Sequence, residues 1–212
     1  MLIKIIKPIL IFLIIFILVL IPIVFSIFYK NKIHVLFSVN EVTQAEASLQ
    51  WDNQLNLKQS TNACGSYSTM VYLFASSGKI YDPEKIKIEY GEQNVSNLIS
   101  PARINIYLNM HGSKSNIYYL GLLSASQKID WIKEKIVHGN PVIAAVGAAA
   151  PGHYVTILGF KNKTAFMYDS NLFEDTNSVQ PGNYSADLNE VVKGIESLKI
   201  HNFLPINIAI AN

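Results

Sequence analysis

The chain has 212 residues, a formal net charge of +2 and a single cysteine, Cys64. Near-neutral charge with no Lys/Arg cluster interleaved with aromatics gives no nucleic-acid footprint. One cysteine excludes an intrachain disulfide and any cysteine-based zinc pattern, and the histidines stand without ligand spacing, so neither metal nor cofactor is expected.

Lys4 and Lys7 precede a run from Pro8 to Tyr29 that carries no charge and is almost entirely Ile, Leu, Val and Phe. A run of that length matches the ~20 apolar residues that cross a bilayer. It exceeds the ~7–15-residue apolar region of a cleaved signal peptide. No small-x-small cleavage site follows; the exit reads Phe25-Ser26-Ile27-Phe28-Tyr29. Residues 1–31 are therefore expected to form an uncleaved, single-span anchor. Lys30 and Lys32 on its far side balance Lys4 and Lys7, so the positive-inside rule nearly cancels. By analogy with other N-terminal anchors, the rest of the chain is expected outside the cytoplasm.

The ~180 residues that remain suffice for one domain with a sizeable core. Residues 32–53 read as a linker, with a short helix capped by Asn40 as the alternative over Asn40–Trp51. The domain is expected over 54–212. Leu55-Asn56-Leu57-Lys58 alternates as a short strand would. After the polar loop from Gln59, the apolar residues Met70, Val71, Leu73 and Phe74 have helical spacing, so a helix begins at or near Cys64 and stops at Gly78. Asp82-Pro83-Glu84 starts a second helix, and Pro101 to Met110 reads as a third. Residues 113–123 read as loop and short strand. Ser124 and Gln127 form a capping box that opens a helix with Ile129, Ile132, Ile136 and Val137 on its apolar face. Pro141 to Val146 is a continuous apolar run, as in a buried strand. A loop of small residues leads to the strand His153–Phe160, the turn Lys161-Asn162-Lys163 and the strand Ala165–Asp169, together a hairpin. The chain is then loop-like to about Tyr184. A helix over Leu188–Ile195 and an apolar stretch from Leu204 to Ile210 complete it. Helices early and strands late give an α+β fold.

Three residues stand out chemically. Cys64 sits at a helix start, where unpaired amides and the positive dipole end favour thiolate over thiol. The plain alternative is a small buried hydrophobe. His153 opens a strand just after Gly152. Asp169 closes the next strand, and antiparallel register brings the start of one strand of a hairpin near the end of the other. His153 and Asp169 are thus expected as neighbours, a base and its orienting acid, with Asn171 as an alternative orienter.

Gln59…Cys64-Gly65, Gly152-His153-Tyr154-Val155-Thr156-Ile157-Leu158-Gly159-Phe160 and Tyr168-Asp169-Ser170 together resemble the papain-like cysteine peptidases. The branch they resemble most is the bacterial one that includes the double-glycine leader peptidases of bacteriocin exporters. Ile132…Gly139-Asn140-Pro141-Val142-Ile143 resembles that branch's helix, turn and strand before the histidine. The resemblance covers roughly residues 54 to 171. It implies a papain-like fold, helical first and with an antiparallel sheet after, and a peptide or protein substrate. Cys64 would be the nucleophile, His153 the base and acid, and Asp169 the orienter. Gln59 would donate to the oxyanion, with Gln54 as its competitor. Ser66 and Ser170 stand where the branch often has proline, and both read as peripheral to the chemistry. The exporters' further membrane spans and ATPase are not in this sequence, which points to a membrane-tethered enzyme standing alone. Two other readings stay open: a silent module of this fold that binds a peptide or protein, and an amidase, deamidase or acyl transferase using the same thioester chemistry.

Overall fold

The computed structural model describes residues 16, 33–60, 62–90, 99–147, 152–172, 180–200, 204–205 and 207–212. The chain forms two compact units, Met1–His34 and Val35–Asn212. Among the described residues no helix is long and apolar enough to cross a membrane. Apart from Phe16, the anchor expected at 1–31 lies outside the described residues.

The second unit holds the site. Strand β1 (Ile33–Val35) straddles the unit boundary. Next come β2 (Glu46–Ser48), a 3-10 turn at Asn53–Leu55 and helix α1 (Cys64–Ser77). Helices α2 (Pro83–Tyr90) and α3 (Pro101–Met110) precede β3 (Asn116–Tyr119) and helix α4 (Ala125–Val137). The remaining elements are β4 (Val142–Val146), β5 (His153–Lys161), β6 (Thr164–Tyr168), β7 (Tyr184–Asp187), helix α5 (Leu188–Ser197), β8 (Lys199–Ile200), β9 (Leu204–Pro205) and β10 (Ile208–Ala211). Helix starts follow local chemistry. Ser124 and Gln127 form the capping box of α4, Ser100 caps α3 ahead of Pro101, and Asp187 caps α5. Helix α1 ends at Gly78, whose N–H reaches back to Phe74.

The main sheet runs β3-β10-β4-β5-β6-β7, each pair antiparallel. Strand β5 is long enough to have two partners on one edge. Its first half pairs β4 as far as Ile157, and β2 takes over at Gly159–Lys161. One face of the sheet carries the main apolar core, where Trp131, Ile132 and Ile136 of α4 and Val191, Val192 and Ile195 of α5 meet Val142, Ala144, Val155 and Ile157. The other face of β5 meets α1: the Ser68 hydroxyl donates to the Tyr154 carbonyl at 3.3 Å, and the Thr156 hydroxyl donates to the Ser68 carbonyl at 3.4 Å. With both faces covered, β4 is buried along its whole length, which is why it reads as an unbroken apolar run.

Several expectations need correction. Leu55–Lys58 is no strand. Asp52 accepts from the Gln54 N–H at 3.0 Å and winds Asn53–Leu55 into a 3-10 turn. The polar groups that follow are met by distant side chains instead of a ladder: the Tyr168 hydroxyl donates to the Leu57 carbonyl at 2.5 Å. Within Asn40–Trp51 there is a strand, β2, not a helix, because β5 outruns β4 and its free edge needs a partner. The stretch after Tyr184 pairs as β7 before α5 begins. The final apolar stretch supplies β10, which lies inside the sheet between β3 and β4.

Gly182 is a position where backbone freedom is required. Its φ is +89°, and a Cβ there would lie 2.1 Å from the Met167 carbonyl oxygen. Gly182→Ala is therefore expected to destabilise the fold by about 2 kcal/mol or more. Urea unfolding of the full chain in detergent measures this; a change below about 0.5 kcal/mol, the range of an ordinary surface substitution, is the contrary result.

Candidate functional site

Cys64 is the first residue of α1. Ala63 precedes it and offers no side-chain cap. Residues 64–73 are all buried, which seats this helix start deep in the unit. Ser68 meets β5, while the Thr69 hydroxyl donates to the Gly65 carbonyl at 2.8 Å and lies 2.9 Å from the Tyr90 hydroxyl of α2.

His153 is the first residue of β5 and is 6% exposed. Its Nε2 lies 2.7 Å from Asp169 Oδ1, and Cys64 is near enough to influence its titration. Register explains the meeting: β5 and β6 pair Thr156 with Tyr168, so the residues before one and after the other emerge at the same end of the hairpin. Burial alone presses the imidazole towards neutrality. The Asp169 hydrogen bond, the interaction with Cys64 and the charges on both partners outweigh it, and the pKa is raised to about 9.

Gln59 is half-buried on the other side of this group. Its N–H donates to the Ser170 carbonyl at 2.8 Å, and its Oε1 accepts from the Ser170 hydroxyl at 2.6 Å. Those two bonds aim Nε2 at Asn171, whose Oδ1 accepts from it. Asn171 Nδ2 in turn lies 3.3 Å from His153 Nδ1. Close polar contacts thus link Gln59, Asn171, His153 and Asp169 in one connected set, and Cys64 acts on its imidazole. Gln54, the competitor of Gln59, is exposed in the 3-10 turn, with its N–H bonded to Asp52.

Two supporting residues escaped sequence reading. Ser170, read as peripheral, is fully buried and orients Gln59. Asn183 grips the backbone of Asp169 from both sides, accepting from its N–H at 2.8 Å and donating to its carbonyl at 2.9 Å. No spacing rule could have found Asn183, since it reaches Asp169 from 14 residues further along the chain. The seryl hydroxyl next to Asp169 was visible, but its direction was not. Asn171, weighed as the orienter of the imidazole, lies on Nδ1 while Asp169 lies on Nε2. An apolar cavity of about 280 Å³ adjoins His153 and Asp169, with Val146, Val155, Met167 and Val191 in its walls. Among the described residues no group of three or more His, Cys, Asp or Glu is placed to hold a metal ion.

The folded pKa of His153, about 9, lies above the ordinary 6.5. Linkage then makes its charged form stabilise the fold fully below 6.5, and that contribution is lost as pH rises through about 9. Asp169→Asn is expected to bring the His153 titration, read from its imidazole proton shifts, below that of the wild type. Its cost in stability should be largest near pH ~6 and shrink by pH ~10. A titration unmoved by the substitution would show that Asp169 does not hold the imidazolium.

The sequence matches no family model and no curated protein, but solved structures match the fold. One, described as a C39-like peptidase from Bacillus anthracis, shares 10% identity at a TM-score of 0.53, covering 79% of this chain and 97% of that one. Another is a double-glycine-motif protease from an AMS/PCAT transporter in complex with the leader peptide, at 15% identity and a TM-score of 0.49, covering 81% of this chain and 96% of that one. The chain has the α+β fold of the C39-like, papain-like peptidases.

Proposed function

We propose that this protein is a membrane-anchored thiol peptidase that hydrolyses a peptide bond through a thioester on Cys64. The observation that carries the reading is the 2.7 Å bond between His153 Nε2 and Asp169, made by a ring that also meets Cys64. With Nε2 engaged by Asp169, Nδ1, where the Asn171 carboxamide lies at 3.3 Å, is the nitrogen that exchanges a proton with the thiol. Cys64 Sγ attacks the acyl carbon, and the scissile C–N bond breaks as His153 delivers a proton to the leaving amine. Water then attacks the thioester while His153 takes its proton, releasing the acid and restoring the thiol. Asp169 keeps the imidazole in the tautomer that presents Nδ1 to the sulfur. Gln59 Nε2, aimed by Ser170, and the Cys64 N–H stabilise the oxyanion. The apolar cavity beside His153 offers a substrate side chain a place to pack. The uncharged run from Pro8 to Tyr29 supports the anchor, with the catalytic unit on the extracytoplasmic side.

Iodoacetamide labelling of the full chain in detergent tests the thiol, since Cys64 is the only cysteine. Labelling at pH ~6 should outpace glutathione and slow by about tenfold or more in His153→Ala. A rate no faster than glutathione would leave the binding-module reading in its place. Against a fluorogenic peptide library, Gln59→Ala should lower kcat by about 10²–10³ and Cys64→Ala should abolish turnover. For the anchor, the full chain should stay with the membrane fraction in alkaline carbonate; release into the supernatant contradicts it.

A further inference from the structure

The carboxamide of Asn171 bridges two groups that the mechanism needs for substrate. Its Oδ1 accepts from Gln59 Nε2, and its Nδ2 lies 3.3 Å from His153 Nδ1. A scissile amide in the proposed reaction would meet the same two groups in the same sense: carbonyl oxygen on the Gln59 donor, nitrogen beside the imidazole that protonates it. We propose that Asn171 is a displaceable occupant of the scissile-amide seat, which a substrate carbonyl must evict before Cys64 can be acylated.

How Asn171 is mounted supports this. Asp169 Oδ1 accepts from the Asn171 N–H at 2.9 Å, and the Leu172 N–H reaches the Asp169 carbonyl at 3.2 Å. A tight turn on Asp169 therefore carries the carboxamide to the seat. Gln59 cannot turn away to follow another partner, because Ser170 holds its Oε1. Asn171 itself is exposed, so its side chain can rotate into water without leaving a buried polar group unpaired. A positioning role for Asn171 on the imidazole is redundant, since Asp169 already holds Nε2 at 2.7 Å. The seat is thus closed by an exposed side chain of its own chain, and apparent affinity falls in proportion to the closed fraction.

The inference rests on the peptidase reading for its meaning, but its primary test needs no turnover. On the full chain, Cys64 labelling is compared in wild type and Asn171→Ala with two reagents: iodoacetamide, which carries a carboxamide, and methyl methanethiosulfonate, which does not. The variant should label faster with iodoacetamide by roughly three- to tenfold relative to the second reagent. Equal acceleration by both reagents, or none, overturns the proposal. With a cleaved peptide, Asn171→Ala should lower KM by a similar factor at nearly unchanged kcat, and acetamide should inhibit the variant competitively at concentrations that leave wild type unaffected. A fall in kcat with KM unchanged would instead make Asn171 a positioning residue. If wild-type Cys64 proves no more reactive than glutathione, the peptidase reading fails, while the ratio of the two reagents still reports whether the seat is occupied.

Discussion

The close approach of helix α1 to strand β5 is the constraint on which the rest depends. Cys64 and His153 sit on different elements, far apart in sequence, and their relative placement is the placement of these two elements. Ser68 stitches them at the backbone: its hydroxyl donates to the Tyr154 carbonyl and its carbonyl accepts from the Thr156 hydroxyl. Such bonds contribute only about 1 kcal/mol each. Their larger effect is directional, since they set how far the helix can slide along the strand. Apolar burial of Met70, Val71, Tyr72 and Leu73 in the following turns supplies the bulk of the attraction. Ser68 gives the approach, large side chains give the adhesion, and the helix start inherits both.

A charged imidazole that is 6% exposed is tolerable only with anions against it. Asp169 provides one at Nε2, and interaction with Cys64 adds to the support of the charged ring. Asp169 is itself anchored through its backbone by Asn183, and Gln59 through its amide oxygen by Ser170. Asp169 and Gln59 thus each have a second group behind them, drawn from a different stretch of chain. A polar network of this kind is stable because nearly every member has its partner.

The chemistry was more legible in the sequence than the scaffold. Cys64, His153 and Asp169 announced themselves by type and by position relative to a helix start and a hairpin. The meeting of His153 and Asp169 follows from antiparallel register, while that of Cys64 with them depends on how α1 packs on β5. The capping box at Ser124 and the Pro101 start were equally local and read correctly. What could not be read was anything decided at a distance. Glu46–Ser48 becomes a strand because β5 happens to outrun β4. Leu55–Leu57 alternates like a strand, yet its partners are Tyr168 and the Asp52 cap. Asn183 carries no local signal that it will grip Asp169. The resemblance to papain-like peptidases anticipated the fold, which the structural match then bore out, while the proline positions it flagged as peripheral included Ser170, a residue with a defined task.

The position of β10 has a consequence for how the chain must assemble. Residues 208–211 form the strand that joins β3 to β4, and the register pairs Ile210 with Ile117 on one side and Ile143 on the other. Until those residues have been synthesised, β3 has no bridge to the β4–β5–β6 ribbon, and the half-built sheet presents two open edges. Closing such long-range pairings is slow, because a large loop must be gathered first. In the interval before β10 is in place, β3 and the β4–β5–β6 ribbon are two separate pieces of sheet. Exposed strand edges in that interval invite pairing with other chains. Insertion of β10 is thus the long-range step that joins the two parts of the sheet and removes both open edges.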